Sequence, residues 1–109
     1  GFGLTIAEAL ACSLPAVGPR YSSVPEVIGP AGLTVPEGGL IDNEYDHMWW
    51  AVDERAFGKA VERLVDNVAE RRLLGAKGPF HVAKHFRWTD AARRFTDIIG
   101  AAIGQEVAA

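Results

Sequence analysis

Gly1-Phe2-Gly3-Leu4-Thr5-Ile6-Ala7-Glu8-Ala9-Leu10-Ala11-Cys12-Ser13-Leu14-Pro15-Ala16-Val17-Gly18 is the stretch on which the reading of this chain turns. Two glycines open it. Ile6, Ala7, Leu10, Ala11 and Leu14 then repeat at helical spacing, and residues 15–19 form a short apolar run bounded by prolines. The order is therefore loop, helix, brief buried strand. Thr5 with Glu8 three residues later is a capping-box pattern, which predicts a helix over residues 5–12. A glycine-bearing loop feeding a helix N-terminus is a natural anion site. The first N–H groups lack internal partners, the dipole adds positive potential, and glycine lets backbone approach a phosphate.

Working outward, residues 25–28 (Pro-Glu-Val-Ile) read as one helical turn begun by a proline. Gly29, Pro30 and Gly32 break it, and Leu33-Thr34-Val35 is a second short strand, ended by Pro36 and the Gly38-Gly39 pair. Residues 40–52 mix acids with large aromatics and show no period, so a loop or irregular insert is expected there. Asp53 is an N-cap candidate for a helix whose stripe is Phe57, Val61, Leu64, Val65 and Val68. A shorter helix over 70–77 is expected to stop at Gly78-Pro79, with a further helical stretch over 80–86. Thr89 is expected to cap a last helix that turns Ala92, Phe95, Ile98, Ile99 and Ala102 inward.

These elements predict an α/β fold, helix-rich with few short parallel strands. Two short parallel strands do not make a stable sheet alone, so further strands are expected from upstream chain or from another copy, as a homo-oligomer. The absence of an initiator Met fits a fragment.

The composition is that of an ordinary soluble domain, with 109 residues, 49% hydrophobic and 23% charged. No run approaches the roughly 18 apolar residues of a membrane span. The single cysteine, Cys12, excludes an internal disulfide framework and fits a reducing compartment, so a cytoplasmic location is expected. Residues 1–68 carry four Lys/Arg and ten Asp/Glu, whereas residues 69–109 carry seven and four. Neither half has the density of a nucleic-acid binder.

The opening string resembles the signature segment of the glycosyl transferases group 1 family, in which two glutamates are separated by seven residues around Gly-Phe-Gly-Leu. Here Glu8 matches the second glutamate, and the first would precede Gly1. Val24-Pro25-Glu26-Val27-Ile28 resembles the family's Pro-Glu-Val turn. Ala31-Gly32-Leu33-Thr34-Val35-Pro36 is similar to its Gly-Leu-Leu-Val-Pro strand, and Phe86-Arg87-Trp88-Thr89 to the Phe-Ser-Trp before its final helix. The resemblance implies that residues 1–109 are the second half of a Rossmann-like C-terminal nucleotide-sugar-binding domain of a two-domain GT-B fold. The N-terminal acceptor domain would lie outside the chain, and the final helix would cross back to it.

The implied activity is sugar transfer with retention from a nucleotide-diphosphate sugar (UDP-, GDP- or ADP-sugar), with no cofactor and no obligatory metal. The amides of Phe2, Gly3 and Leu4 would face the donor phosphates, with Gly1 and Thr5 beside them, and Glu8 would accept from the ribose hydroxyls. No catalytic residue falls within the chain, which by itself is expected to be inactive. Three departures stand out: Ser13 where a left-handed glycine is usual, Ser22-Ser23 in place of Gly-Gly, and the long aromatic insert at 42–50.

Each sharp reading has a plainer one beside it. Glu8 could serve only the cap, and the two uses compete for one carboxylate; the counterpart functional alternative is a non-catalytic nucleotide-binding or scaffold module. His81 and His85 share a helix face at metal-ligand spacing, but packing or solvation is the stronger reading. Tyr45, Met48, Trp49 and Trp50 could stack on a sugar or base, against the preferred role of a hydrophobic plug. Asp42, Glu44 and Asp46 read as solvated rather than as a calcium loop. Arg71, Arg72, Lys77, Lys84, Arg87, Arg93 and Arg94 read as a solvated exterior, with peripheral membrane contact the less favoured alternative. Cys12 reads as a small packing residue rather than a nucleophile.

Overall fold

A computed structural model describes residues 1–42 and 48–104. The chain runs α1 (Leu4–Ala11), β1 (Ala16–Pro19), α2 (Val24–Ile28), a 3-10 turn (Gly29–Ala31) and β2 (Gly32–Val35). It continues with β3 (Glu37–Asp42), β4 (Met48–Val52), α3 (Glu54–Asp66), α4 (Val68–His85) and α5 (Trp88–Ala102). This is a helix-rich α/β arrangement, as the spacing predicted.

β1 and β2 pair in parallel, from Ala16 against Gly32 to Pro19 against Val35, and the Arg20 N–H extends the ladder to the Val35 carbonyl at 2.7 Å. The strands approach so closely that a Cβ at Gly32 would collide with the Ala16 carbonyl. α2 and α3 both pack on this pair, and α1 packs on α2 and α4. Ala7, Leu10, Val27, Ile28, Ala31, Val35 and Leu64 are the buried apolar residues at these contacts.

Four expectations are corrected. Within the expected insert, residues 40–42 and 48–52 are not irregular: β3 and β4 pair antiparallel as a hairpin, with Leu40 opposite Trp50 and Ile41 opposite Trp49. Neighbouring residues of a strand point to opposite faces, so both faces of this hairpin are apolar and no two-residue alternation exists to be read. Gly38-Gly39 does not end a strand but lies at the irregularity of register between Glu37 and Gly39, where a Cβ on Gly38 would crowd the Val52 carbonyl.

Second, α4 is one continuous helix through Gly78 and Pro79. Its glycines face α1: a Cβ at Gly75 would meet the Ser13 carbonyl and one at Gly78 the Leu10 carbonyl. They permit a close helix crossing rather than a stop, and packing against α1 overrides the helix-breaking tendency of Pro79.

Third, α5 begins at Trp88 with Arg87 as its cap residue, so Thr89 lies inside the helix and caps nothing. Fourth, the α5 stripe is not inward-facing, with Phe95 66% and Ile98 65% exposed.

The α3 reading holds for the helix and its cap, but not for the whole stripe: Val68 opens α4. Asp53 caps it by accepting from the Ala56 N–H at 3.0 Å. At the far end Arg71 donates to the Leu64 and Val65 carbonyls at 2.7 and 2.8 Å, and Arg63 pairs with Glu70 across the corner into α4. The hydrogen bond from Arg63 to the Glu70 carboxylate, with their charge attraction, raises the guanidinium pKa above its ordinary value. Of the expected stripe only Leu64 is fully buried; Val61, Val65 and Val68 remain exposed.

Candidate functional site

The opening loop is shaped by Gly3, which caps α1 in a left-handed conformation at φ 88°, ψ 49°. A side chain would be strained there, so the backbone angle favours glycine. The carbonyl of Gly3 accepts from Ile6 and Ala7 at 3.1 and 3.2 Å. The N–H groups of Leu4 and Thr5 precede any intrahelical acceptor, leaving two donors at the positive end of the helix.

The Thr5–Glu8 capping box does not form. α1 starts at Leu4, one residue earlier than expected, and has no side-chain cap. Thr5 is the second residue inside the helix, past the position from which a hydroxyl caps. The competition for the Glu8 carboxylate is thereby removed. Glu8 is exposed and lies one turn along from Leu4, on the same face. Gly1, Phe2, Leu4 and Thr5, at the start of α1, are also exposed, and Gly3 is half-buried.

Two further groups join this loop from distant sequence. The Ser23 hydroxyl donates to the Gly1 carbonyl at 2.6 Å and approaches the Phe2 carbonyl at 3.3 Å. The Phe2 ring meets Phe86 edge-on at 5.1 Å between centroids. Neither role was read from the residues, because both depend on contacts made across more than twenty positions of chain.

His81 and His85 do lie together, with ring centroids 5.0 Å apart. His81 is a packing residue whose Nε2 sits 3.2 and 3.0 Å from the carbonyl oxygens of Glu26 and Val27. Both neighbours are acceptors, which assigns the proton to this nitrogen. Among the described residues no three His, Cys, Asp or Glu side chains gather in one group.

Trp49 and Trp50 are 56% and 44% exposed, which overturns the plug reading for these two residues. The readings of Glu44, Tyr45 and Asp46, and of the Asp42 and Met48 side chains, fall outside the described residues. Cys12 is exposed at the end of α1, not packed as expected. A groove of about 510 Å³ along α4 is lined by Leu73, Lys77, Phe80, His81, Lys84 and His85. No helix among the described residues is long and apolar enough to cross a membrane.

Comparison with known proteins places mannosyltransferases beside this chain. It is 27% identical over 91% of its length to the GDP-mannose-dependent monoacylated alpha-(1-6)-phosphatidylinositol monomannoside mannosyltransferase of Corynebacterium glutamicum, covering 23% of that protein. It is 29% identical over 99% of its length to the MMP alpha-(1->4)-mannosyltransferase of Mycolicibacterium hassiacum, covering 24% of it. A 33-residue stretch, 30% of the chain, is 54% identical to the O-antigen chain mannosyltransferase B of Escherichia coli, covering 9% of it. The chain thus spans about a quarter of the length of the first two relatives. No family model and no solved structure matches it. The shared names support a glycosyltransferase relationship.

Proposed function

We propose that this chain is the donor-binding part of a retaining glycosyltransferase of the group 1 type, the second half of a Rossmann-like C-terminal domain in a GT-B enzyme. Its parent transfers a hexosyl group from a nucleotide-diphosphate sugar to an acceptor hydroxyl. GDP-mannose is the first donor to test, because one relative carries it in its name.

The observation that carries this reading is the left-handed Gly3 opening α1 beside an uncapped, exposed Glu8. Donor phosphates sit against the amides of loop 1–4, where developing negative charge on the leaving nucleotide meets fixed N–H dipoles. The Glu8 carboxylate, a pure acceptor when ionised, takes hydrogen bonds from the vicinal ribose hydroxyls. The chemistry at the sugar is supplied by residues upstream and by the acceptor-binding domain. The exposed apolar stripe of α5 faces that second domain.

Calorimetry on the full-length protein with GDP-, UDP- and ADP-sugars is the test. One nucleotide class is expected to bind at unit stoichiometry, and Glu8→Gln to weaken it about tenfold, as loss of charge-assisted hydrogen bonds dictates. The Glu8→Gln melting temperature should hold, since no hydrogen bond to this carboxylate is found among the described residues. Binding of none of the three classes would sink the reading. The product anomer, read by NMR, tests retention separately.

A further inference from the structure

We infer that Ser23 and Phe86 are positioning residues that aim the amides of the opening loop, an inference that rests on the donor-binding reading above. Contacts around the loop close into a ring. The Ser23 hydroxyl, at the start of α2, shares its one proton unequally between the carbonyls of Gly1 at 2.6 Å and Phe2 at 3.3 Å. The Phe2 ring lies edge-on to Phe86 at 5.1 Å and 78°. Phe86 lies edge-on to His81 at 5.3 Å and 87°. His81 donates to the carbonyls at the C-terminal end of the same α2, and Gly29 at φ 51° leaves room for its ring, where a Cβ would collide with it. The loop is therefore gripped on its backbone from one end of α2 and, through two aromatic rings, on its side chain from the other.

The geometry of the peptide unit turns this grip into a functional device. In a trans peptide the C=O and the following N–H point in opposite directions. Fixing the Gly1 and Phe2 carbonyls towards Ser23 directs the Phe2 and Gly3 N–H groups away from α2. Those are two of the three amides assigned to the donor phosphates. A loop without the tether has to be ordered by the donor itself, which lowers affinity without altering the chemical step.

The experiment uses the full-length protein with whichever of GDP-mannose, UDP-glucose and ADP-glucose the wild type binds. Ser23→Ala and Phe86→Ala are each expected to raise the dissociation constant and KM about three- to tenfold, the range of one hydrogen bond or one aromatic pair, with kcat within about twofold. Phe86→Tyr, which keeps the ring, should restore affinity. Phe2→Ala with Phe86→Ala together should be no worse than the poorer single variant, because both break one contact. Wild-type affinity in Ser23→Ala and Phe86→Ala would overturn this inference alone. So would a loss that follows the melting temperature and is not restored by Phe86→Tyr. Failure of the wild type to bind any of the three would overturn the donor reading and the inference with it.

Discussion

Ser13 and Ser22 hold positive φ, at 62° and 56°, and both stand where the family resemblance calls for glycine. The left-handed region costs a side chain about 1–2 kcal/mol, partly offset by the greater unfolded-state freedom of glycine. Ser13→Gly is accordingly expected to stabilise the chain by roughly 0.5–1 kcal/mol, read as a shift in the urea midpoint at unchanged slope. A lower midpoint would mean that the serine side chain contributes something the backbone angle does not reveal. Gly3 shows the opposite case, a left-handed residue filled by the amino acid that suits it. At this scale the resemblance anticipated the strain at Ser13 correctly. It could not anticipate the absent cap at Thr5, because the capping position falls two residues earlier, at Gly3, and that small offset separates a capping hydroxyl from an idle one.

Among the elements, α4 departs furthest from local propensity. Gly75, Gly78 and Pro79 within one helix argue for a break, yet the helix continues because its glycine face meets the carbonyls of α1. Tertiary packing outweighs about 1 kcal/mol per glycine and about 3 for an interior proline. Gly78→Ala tests this directly. Alanine is the better helix former in isolation, but its Cβ would strike the Leu10 backbone, which cannot move aside as a side chain can. A loss of about 1–3 kcal/mol in chemical denaturation is expected, the size of overpacking in a tight contact. A gain would show that the two helices are not held at this distance. The β3–β4 hairpin makes the same point for strands. Its apolar residues lie on both faces, so the alternation that identifies a half-buried strand is missing.

The whole molecule is extended. Its radius of gyration is 17.7 Å, against about 13 Å for a compact chain of this length. α5 makes few contacts with the other elements and leaves Trp88 83% exposed. Hydrogen exchange on the 109-residue chain should therefore divide it. The amides of α1, α2 and α4, which enclose Leu10, Val27 and Ile28, are expected to be the slowest, and those of α5 and the hairpin the fastest. Equal protection in α5 would mean that its apolar stripe finds a cover in the isolated chain. In the proposed enzyme the other domain supplies that cover, so α5 should slow markedly in the full-length protein.

Local pattern by itself determined a good deal here: the α/β class, the opening loop and helix, both parallel strands and the Asp53 cap; the residues of the candidate donor site came from the family resemblance. The local features are readable because periodicity, glycine and proline act over a few neighbouring residues. Tertiary structure alone decided that α4 runs on, that two apolar-faced segments pair as a hairpin, that the α5 stripe is open, and that Phe86 and Ser23 meet the first two residues. Those outcomes depend on contacts between residues far apart in the chain, whose energies no local pattern encodes. The opening glycine loop belongs to both accounts: its residues are written in the sequence, and the direction of its amides is set by side chains that only the fold brings to it.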